Sequence, residues 1–191
     1  MKRGRIVIIS GPSGVGKSTI CKEVVRRLED VYLSVSVTTR PRAKGEADGS
    51  DYWFVTREQF EERIKKGMLL EYAEVFGNLY GTPKDKLDEV LRAGKISILE
   101  IDVQGARQVG AIYPDAIMIF ILPPSQGELA RRISGRGREK AEAAEKRLDN
   151  AGVEMVVGER HYQYKVVNDN LKKAVNEVIQ IIQQSTGGGK K

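Results

Sequence analysis

The chain has few of the residues from which many enzyme sites are built. Its 191 residues include one cysteine, Cys21, and one histidine, His161. A single cysteine excludes an internal disulfide and a cysteine-cluster metal site, so we expect Cys21 to be a small helical residue. His161 lies in "GERHYQY", outside every motif discussed below, and we expect it at the surface. The sequence therefore argues against chemistry that depends on histidine or on several thiols.

Aromatic residues and long apolar runs are also scarce. Aromatic residues make up 6% of the chain, which disfavours a stacking platform for single-stranded nucleic acid. The longest apolar run, "AIMIFIL", ends at two prolines and is too short to cross a membrane. The apolar run near residue 5 is about five residues long, shorter than a secretory signal requires. We therefore expect a cytoplasmic protein that binds neither membranes nor nucleic acid, and its net charge of +6 points to smaller anions.

Four runs rich in isoleucine and valine predict strands that are buried on both faces. They are Arg5–Ser10, Ile96–Asp102, Ala116–Leu122 and Tyr164–Val167. Helical patterns follow the first run and the last, and the final one repeats apolar residues from Leu171 to Ile182. This alternation predicts an α/β fold with an open parallel sheet.

Two segments interrupt this pattern. In "YLSVSVTTR", apolar Leu33, Val35 and Val37 alternate with polar residues, which predicts one strand with a polar face. A helix with a capping box at Thr56 and a terminating Gly67 follows, then two strands around a Gly-Asn turn, and then a helix with Pro83 in its first position. A second segment after "LPPS" predicts a helix opened by Ser125 and a charged helix ending near Gly158.

A glycine-rich turn, Gly11-Pro-Ser-Gly-Val-Gly16-Lys17-Ser18, follows the first apolar run. It matches the phosphate loop, whose backbone N–H groups surround a nucleotide phosphate. The lysine of this motif reaches the β and γ oxygens, and the serine hydroxyl ligates Mg²⁺. We expect nucleoside triphosphate binding by these residues: Gly11, Pro12, Ser13, Gly14, Val15, Gly16, Lys17, Ser18 and Thr19.

The first inserted segment carries residues suited to a second, phosphorylated substrate. Arginine and phenolic side chains suit a phosphate monoester, and the candidates are Ser36, Arg40, Arg42, Tyr52 and Tyr80. Glu71 and Asp102 lie in or after buried-type strands, and carboxylates placed there need donors. The guanine edge supplies N1–H and N2–H₂ side by side. Either acid, taken alone, is more commonly solvated or ion-paired.

Several further motifs give the chain a resemblance to guanylate kinase over residues 5 to about 184. They are "ISGPSGVGKST", "SVSVTTRPR", "DYWFV", "LLEYAEVFGNLYGT", "LEIDVQG", "ILPPS", and "GRG" followed by "KRL". This resemblance implies an α/β P-loop NTPase core of three layers, an inserted α+β lobe that binds GMP, and a helical lid. The implied activity is phosphorylation of GMP, and of dGMP, by Mg²⁺-bound ATP in purine nucleotide metabolism, with no obligate protein partner.

The resemblance also implies boundaries within one domain spanning residues 1–186. The core would comprise 1–35, 96–124 and 159–186, the GMP-binding lobe 36–95 and the lid 125–158, with 187–191 as a disordered tail.

Individual roles follow from the same resemblance. Ser36, Arg40, Tyr52 and Tyr80 would hold the GMP phosphate, and Glu71, Thr82 and Asp102 would read guanine. Ser18 and Glu100 would serve Mg²⁺, and Arg132 would lie near ATP. The charge of the transferred group would be neutralised by Lys17, Arg40, Arg136 and Arg147.

One departure from the family pattern concerns the GMP phosphate. The family usually has a second arginine three residues after the first, where this chain has Ala43. Arg42 or Lys44 is the expected replacement. Two other functions stay open at this point. One is an inactive scaffold module with this fold that binds phosphorylated peptides, and the other is a P-loop kinase for a different monophosphate.

Overall fold

The computed structural model describes residues 4–134 and 141–187, and its elements alternate between strand and helix for much of the chain. Their order is β1 (Arg5–Ser10), α1 (Lys17–Arg27), β2 (Val31–Leu33), β3 (Val37–Thr38), β4 (Trp53–Phe54), α2 (Arg57–Lys65), β5 (Leu69–Val75), β6 (Asn78–Pro83), α3 (Lys84–Arg92), β7 (Ile96–Glu100), α4 (Val103–Ile112), β8 (Ile117–Leu122), α5 (Gln126–Ser134), α6 (Ala141–His161), β9 (Tyr164–Val167) and α7 (Leu171–Thr186).

Five strands form one parallel sheet in the order β2-β7-β1-β8-β9. Strand β1 lies at its centre, with Ile8 opposite Leu99 on one side and Ile9 opposite Ile119 on the other. The central strands read as continuous apolar runs because both faces of the sheet are covered. The carboxyl end of β1 runs directly into the glycine-rich turn, which places that turn at the edge where parallel sheets bind ligands.

The core has two halves, one on each face of the parallel sheet. Val7 and Ile9 pack with α1 and α7, whereas Ile6 and Ile8 pack with α3 and α4. Successive residues of β1 thus point to opposite faces, as strand geometry requires. The result is a three-layer α/β/α core, and the predicted fold class is confirmed.

The strands β3 to β6 form a second, smaller sheet in the order β4-β3-β6-β5. We call this sheet, together with α2, the inserted lobe; its core is Val37, Phe60 and Leu79. Helix α2 begins with the predicted capping box, in which Thr56 and Gln59 bond reciprocally. The predicted lobe boundary at residue 95 groups helix α3 with the lobe. In the structure, Leu87 and Leu91 of this helix pack on the parallel sheet instead.

Several predicted boundaries differ from the structure. The alternating run around residue 35 is not one strand, because β2 belongs to the parallel sheet and β3 to the inserted lobe. Thr38, predicted on a polar face, is fully buried and donates to the carbonyl of Leu79. Pro83 precedes α3 as its N-cap rather than occupying its first turn. The two residues between β5 and β6 are Phe76 and Gly77, both with positive φ, so the turn is one residue earlier than predicted.

The charged helix was predicted to end near Gly158. In the structure Gly158 lies within α6, which continues to His161. A Cβ at residue 158 would lie 2.5 Å from ring atoms of Phe120. The glycine therefore permits close packing of α6 on β8 and does not terminate the helix. The predicted run ending at Asp102 also stops earlier, since β7 ends at Glu100 and Asp102 is the N-cap of α4. The last four residues of the predicted tail, 188–191, lie outside the described residues.

Candidate active site

The phosphate loop lies between β1 and α1, and its lysine and serine both point into the site. The ammonium of Lys17 donates to the carbonyls of Gly11 and Pro12 and therefore lies across the mouth of the loop. Ser18 Oγ donates to Glu100 Oε1 at 2.6 Å. The loop thus offers a cation and a hydroxyl, and β7 brings the Glu100 carboxylate to that hydroxyl. These are the groups that a magnesium-bound triphosphate requires.

A buried asparagine that the sequence did not indicate holds the loop from behind. Asn168, which follows β9, donates from Nδ2 to the carbonyl of Val15 at 2.8 Å. The backbone carbonyl of Asn168 accepts from the guanidinium of Arg132, and the Nε of Arg132 donates to Glu128. No local sequence signal marks Asn168, because its contact to the loop spans 153 positions.

Two carboxylates predicted to read guanine lie close together on different elements. Glu71, on β5, is 4% exposed, and its Oε1 accepts from Thr82 Oγ1 at 2.6 Å. Asp102 caps α4 by accepting from the N–H of Gly105 at 2.8 Å. Gly105 lies directly against Oε2 of Glu71, where a Cβ would overlap that oxygen. The helix N-terminus and the edge of the inserted lobe thus hold the two acids side by side.

The environment of Glu71 disfavours its charged form. The pKa of Glu71 is raised to about 7, chiefly by burial and to a smaller extent by the nearby charge of Asp102, while the hydrogen bonds from Thr82 oppose the shift. Since this carboxylate is buried with one oxygen bonded to Thr82, a ligand with adjacent N–H groups would supply the donors that its charged form needs.

The cationic end of the inserted lobe is organised around Arg40. Its guanidinium forms an ion pair with Glu46 at 2.7 Å and lies 5.4 Å from the ring centroid of Tyr52. Tyr52 in turn meets the ring of Tyr80 edge-on, with 6.0 Å between centroids. This packing fixes the guanidinium in one orientation and leaves a surface of N–H and phenolic O–H groups, which suits a phosphate monoester.

Two adjoining cavities contain most of the predicted site residues. The first, of about 280 Å³, contains the loop residues Lys17 and Ser18 together with Glu71 and Asp102. The second, of about 530 Å³, contains Arg40. The residues lining both are Ser13, Ser18, Ser36, Tyr52, Tyr80, Glu100 and Arg147. The structure therefore joins the phosphate loop, the group formed by Arg40, Tyr52 and Tyr80, and the buried acids in one continuous site.

Helix α6 supplies a wall of the first cavity, which includes the predicted Arg147 and two residues that were not predicted, Asn150 and Glu154. Arg147, Asn150 and Glu154 recur at positions i, i+3 and i+7, so they share one face of the helix, and all three line the cavity. Burial raises the pKa of Glu154 to about 7, and the charge of Lys17 opposes this rise. The guanidinium of Arg147 also lies 5.5 Å from the ring centroid of Phe76, at the tip of the inserted lobe.

Another missed residue is Lys22 on α1. It lines the second cavity and pairs with Asp51 of the inserted lobe at 2.7 Å. A lysine on the exposed side of a helix is too common a feature to be singled out from sequence.

Some predicted residues do not line these cavities. Arg42 and Lys44 are exposed, and Ala43 is the residue that lines the second cavity. Arg132 lies behind the loop in the contacts described above, and Thr82 touches the site through Glu71. Pro12 and Val15 are buried parts of the loop. Arg136 lies outside the described residues.

The sequence profile of a family described as guanylate kinase matches residues 3–185. The chain belongs to the guanylate kinase family. A guanylate kinase from Rubrobacter xylanophilus is 45% identical over 189 residues, which cover 99% of this chain and 98% of the relative.

Solved structures give the same result for the fold. A guanylate kinase structure from Anaplasma phagocytophilum has a TM-score of 0.82 and 35% identity, covering 97% of this chain and 87% of that one. The SH3-kinase fragment of tight junction protein 3 has a TM-score of 0.55 and 10% identity, covering 97% of this chain and 59% of that one, a likeness in fold alone.

Family membership confirms the predicted enzyme class. Guanylate kinases are nucleotide-binding transferases that phosphorylate GMP to GDP with ATP, and the chain is assigned that activity. This assignment outweighs the scaffold and the other-monophosphate alternatives.

Proposed function

We propose that the chain transfers the γ-phosphoryl group of Mg²⁺-bound ATP directly to the phosphate of GMP or dGMP, using the site described above. The observation that carries this proposal is the shared cavity, because the phosphate loop and the buried Glu71 line the same space. With a donor nucleotide on the loop and a guanine on Glu71, the two phosphates would meet beside Arg40, Tyr52 and Tyr80.

Recognition of guanine is assigned to Glu71 and Asp102, with Thr82 acting through Glu71. Guanine offers N1–H and N2–H₂ as adjacent donors, and an ionised Glu71 would accept from them. Adenine presents an acceptor at N1, which would face the carboxylate without a hydrogen bond and leave a buried charge unsatisfied. This difference supports discrimination between the two purines.

The acceptor phosphate is assigned to Ser36, Arg40, Tyr52 and Tyr80. The ion pair with Glu46 and the aromatic contacts leave Arg40 oriented before substrate arrives, which reduces the ordering cost of binding. Since Arg42 is exposed and Ala43 faces the cavity, we no longer place Arg42 in this subsite. In the described part of the chain, two other cations line the second cavity, Lys22 and Arg147.

The donor phosphates are assigned to the loop, from Gly11 to Thr19, with Arg132 supporting the loop from behind. Ser18 and Glu100 would hold Mg²⁺, and the residues present fit this ion, because both offer oxygen atoms that lie together at 2.6 Å. When bound, Mg²⁺ neutralises the charge of the β and γ phosphates. Phosphate and water oxygens would complete its coordination, because Mg²⁺ usually keeps several waters and binds substrate phosphates.

The transfer itself requires alignment and charge neutralisation. An oxygen of the GMP phosphate forms a bond to the γ-phosphorus, while the bond from that phosphorus to the bridging oxygen breaks and ADP leaves with the electron pair. The attacking oxygen is already an anion, so no general base is needed. The charge of the transferred group would be neutralised by Lys17, Arg40 and Arg147. Arg136, which was predicted to share this role, lies outside the described residues.

A nucleotide panel tests the proposal. ADP formation in a coupled assay is measured with GMP, dGMP, AMP, CMP and UMP, with the Lys17→Met variant as the baseline. We expect rapid turnover with GMP and dGMP alone. Turnover with another monophosphate at a comparable rate would refute the guanine assignment, and no turnover with any nucleotide would favour the scaffold function.

The cytoplasmic location and the absence of an obligate protein partner stay predictions. In residues 4–134 and 141–187, no helix has the length and apolar character to cross a membrane.

A further inference from the structure

Glu71 lies on an edge strand of the inserted lobe. Strand β5 is the last of the four strands, and within residues 4–134 and 141–187 it pairs with β6 alone. Edge strands expose unpaired backbone N–H and C=O groups, and their position is less firmly specified than that of central strands. The guanine-reading carboxylate therefore lies on one of the two edge strands of its sheet, where β6 supports it from one side.

The side chain of Gln108, on α4, adds to that support. Its Nε2 donates to the carbonyl of Tyr72 at 2.8 Å, and its Oε1 accepts from the N–H of Tyr72 at 3.4 Å. The amide thus pairs with both backbone groups of one residue, as a neighbouring strand would. Because the contact is to the backbone of Tyr72, it restrains the strand directly.

The same helix carries the second acid. Asp102 caps α4, Gly105 lies against the carboxylate of Glu71, and Gln108 follows one turn later against Tyr72. Residues 105 and 108 are neighbours on one face of the helix, and residues 71 and 72 are consecutive on the strand. A rigid helix therefore contacts β5 at two adjoining points and also positions Asp102.

We propose that Gln108 is a positioning residue for guanine recognition, which sets the spacing between Glu71 and Asp102 by pairing with the backbone of β5. The proposal rests on the proposed function, in which these two acids read the base. Misplacement of such groups by about 1 Å is enough to weaken recognition strongly. Gln108 does not itself line the cavities, so its effect is transmitted through the strand.

The test compares Gln108→Ala and Gln108→Glu with the control Arg107→Ala. The glutamate keeps the acceptor for the Tyr72 N–H but cannot donate to the Tyr72 carbonyl. Arg107 is the adjacent, exposed residue of the same helix. KM and kcat are measured for GMP and for IMP, which lacks the 2-amino group, together with KM for ATP and the thermal midpoint of unfolding.

We expect both Gln108 variants to raise the GMP KM at least about fivefold and to reduce the GMP to IMP ratio of kcat/KM about tenfold, the equivalent of one misplaced hydrogen bond. The ATP KM and the Arg107→Ala kinetics should stay within about twofold of wild type, in line with a surface change. General destabilisation would lower the thermal midpoint and the active fraction, but it would leave the GMP to IMP ratio unchanged.

An unchanged GMP KM and an unchanged GMP to IMP ratio in both Gln108 variants would overturn the proposal. The Glu71→Gln variant separates this failure from failure of the proposed function. If Glu71→Gln loses GMP use and the Gln108 variants do not, Gln108 has no positioning role. If Glu71→Gln also keeps normal GMP use, the assignment of guanine recognition to Glu71 is itself wrong.

Discussion

Replacing Glu71 with glutamine should stabilise the ligand-free protein while it removes GMP recognition. Burial raises the pKa of this carboxyl from 4.5 to about 7. Between these two pH values the folded state holds a proton that the unfolded chain has released, so stability is lost as pH rises through this window. At 1.36 kcal/mol for each pKa unit, the loss amounts to about 3 kcal/mol once pH exceeds 7.

The glutamine variant does not carry this cost, because an amide has no charge to bury. Its Oε1 still accepts from Thr82, so the hydrogen bond within the lobe survives. The free energy of unfolding of Glu71→Gln should exceed that of wild type by about 3 kcal/mol near pH 8 and by only about 1 kcal/mol near pH 5. The pH dependence of this difference is the decisive quantity.

Urea unfolding followed by circular dichroism, without nucleotide, measures the difference near pH 5 and near pH 8. Glu74→Gln is the matched control, since Glu74 lies on the same strand but is exposed. Other buried acids such as Glu154 are common to all three proteins and cancel in the comparison. A Glu71→Gln stability gain that does not grow with pH, or that Glu74→Gln reproduces, would refute the argument from burial.

Kinetics complete this prediction. The amide of glutamine would point a donor at the guanine donors, and kcat/KM for GMP should fall about 100-fold with little change in the ATP KM. In the wild type, kcat/KM for GMP should fall about tenfold for each pH unit below 7, because only ionised Glu71 accepts from both guanine groups. A flat pH profile between 5.5 and 7 would contradict the assignment of the raised pKa to this residue.

Three further substitutions test other parts of the structure. Lys17→Met should lower kcat at least about 100-fold, as loss of a charge-stabilising donor does, with circular dichroism showing an intact fold. Gly158→Ala should lower the free energy of unfolding by about 1–3 kcal/mol, because the added methyl group overlaps the ring of Phe120, and a gain in stability in urea would contradict this packing. Asn168→Ala should weaken ATP binding and cost about 1–3 kcal/mol of stability, because it leaves the carbonyl of Val15 without its donor, and calorimetric titration with ATP showing wild-type affinity would count against that role.

The phosphate loop could be predicted from sequence because its chemical groups lie within one short segment. Strands β1, β7 and β8 of the parallel sheet were also predictable, since buried parallel strands produce unbroken apolar runs. Glu71 and Asp102 stood out for a related reason: an acid in or directly after such a run needs a specific partner. The inserted lobe was predicted in outline, but the run around residue 35 was assigned to one strand, because alternation alone does not reveal that two short strands belong to different sheets.

The residues that were missed have polar side chains whose surroundings are set by distant parts of the chain. Asn150 and Glu154 lie on a helix of mixed polarity, where polar residues usually face solvent. Gln108 is one glutamine among several, and only the position of the edge strand gives it a partner. Side-chain pairings of this kind depend on how the inserted lobe meets the core, which no local pattern records.

The bond from Asn168 to the phosphate loop has a consequence for the order of folding. The loop and Asn168 lie at opposite ends of the part of the chain that forms the parallel sheet. Asn168 directly follows β9, which is an edge strand of that sheet and its last strand in sequence. During synthesis the loop emerges early, yet it receives this donor only after the last strand has docked. Nucleotide affinity is therefore acquired late. An incompletely synthesised chain would bind ATP weakly and would hydrolyse little of it.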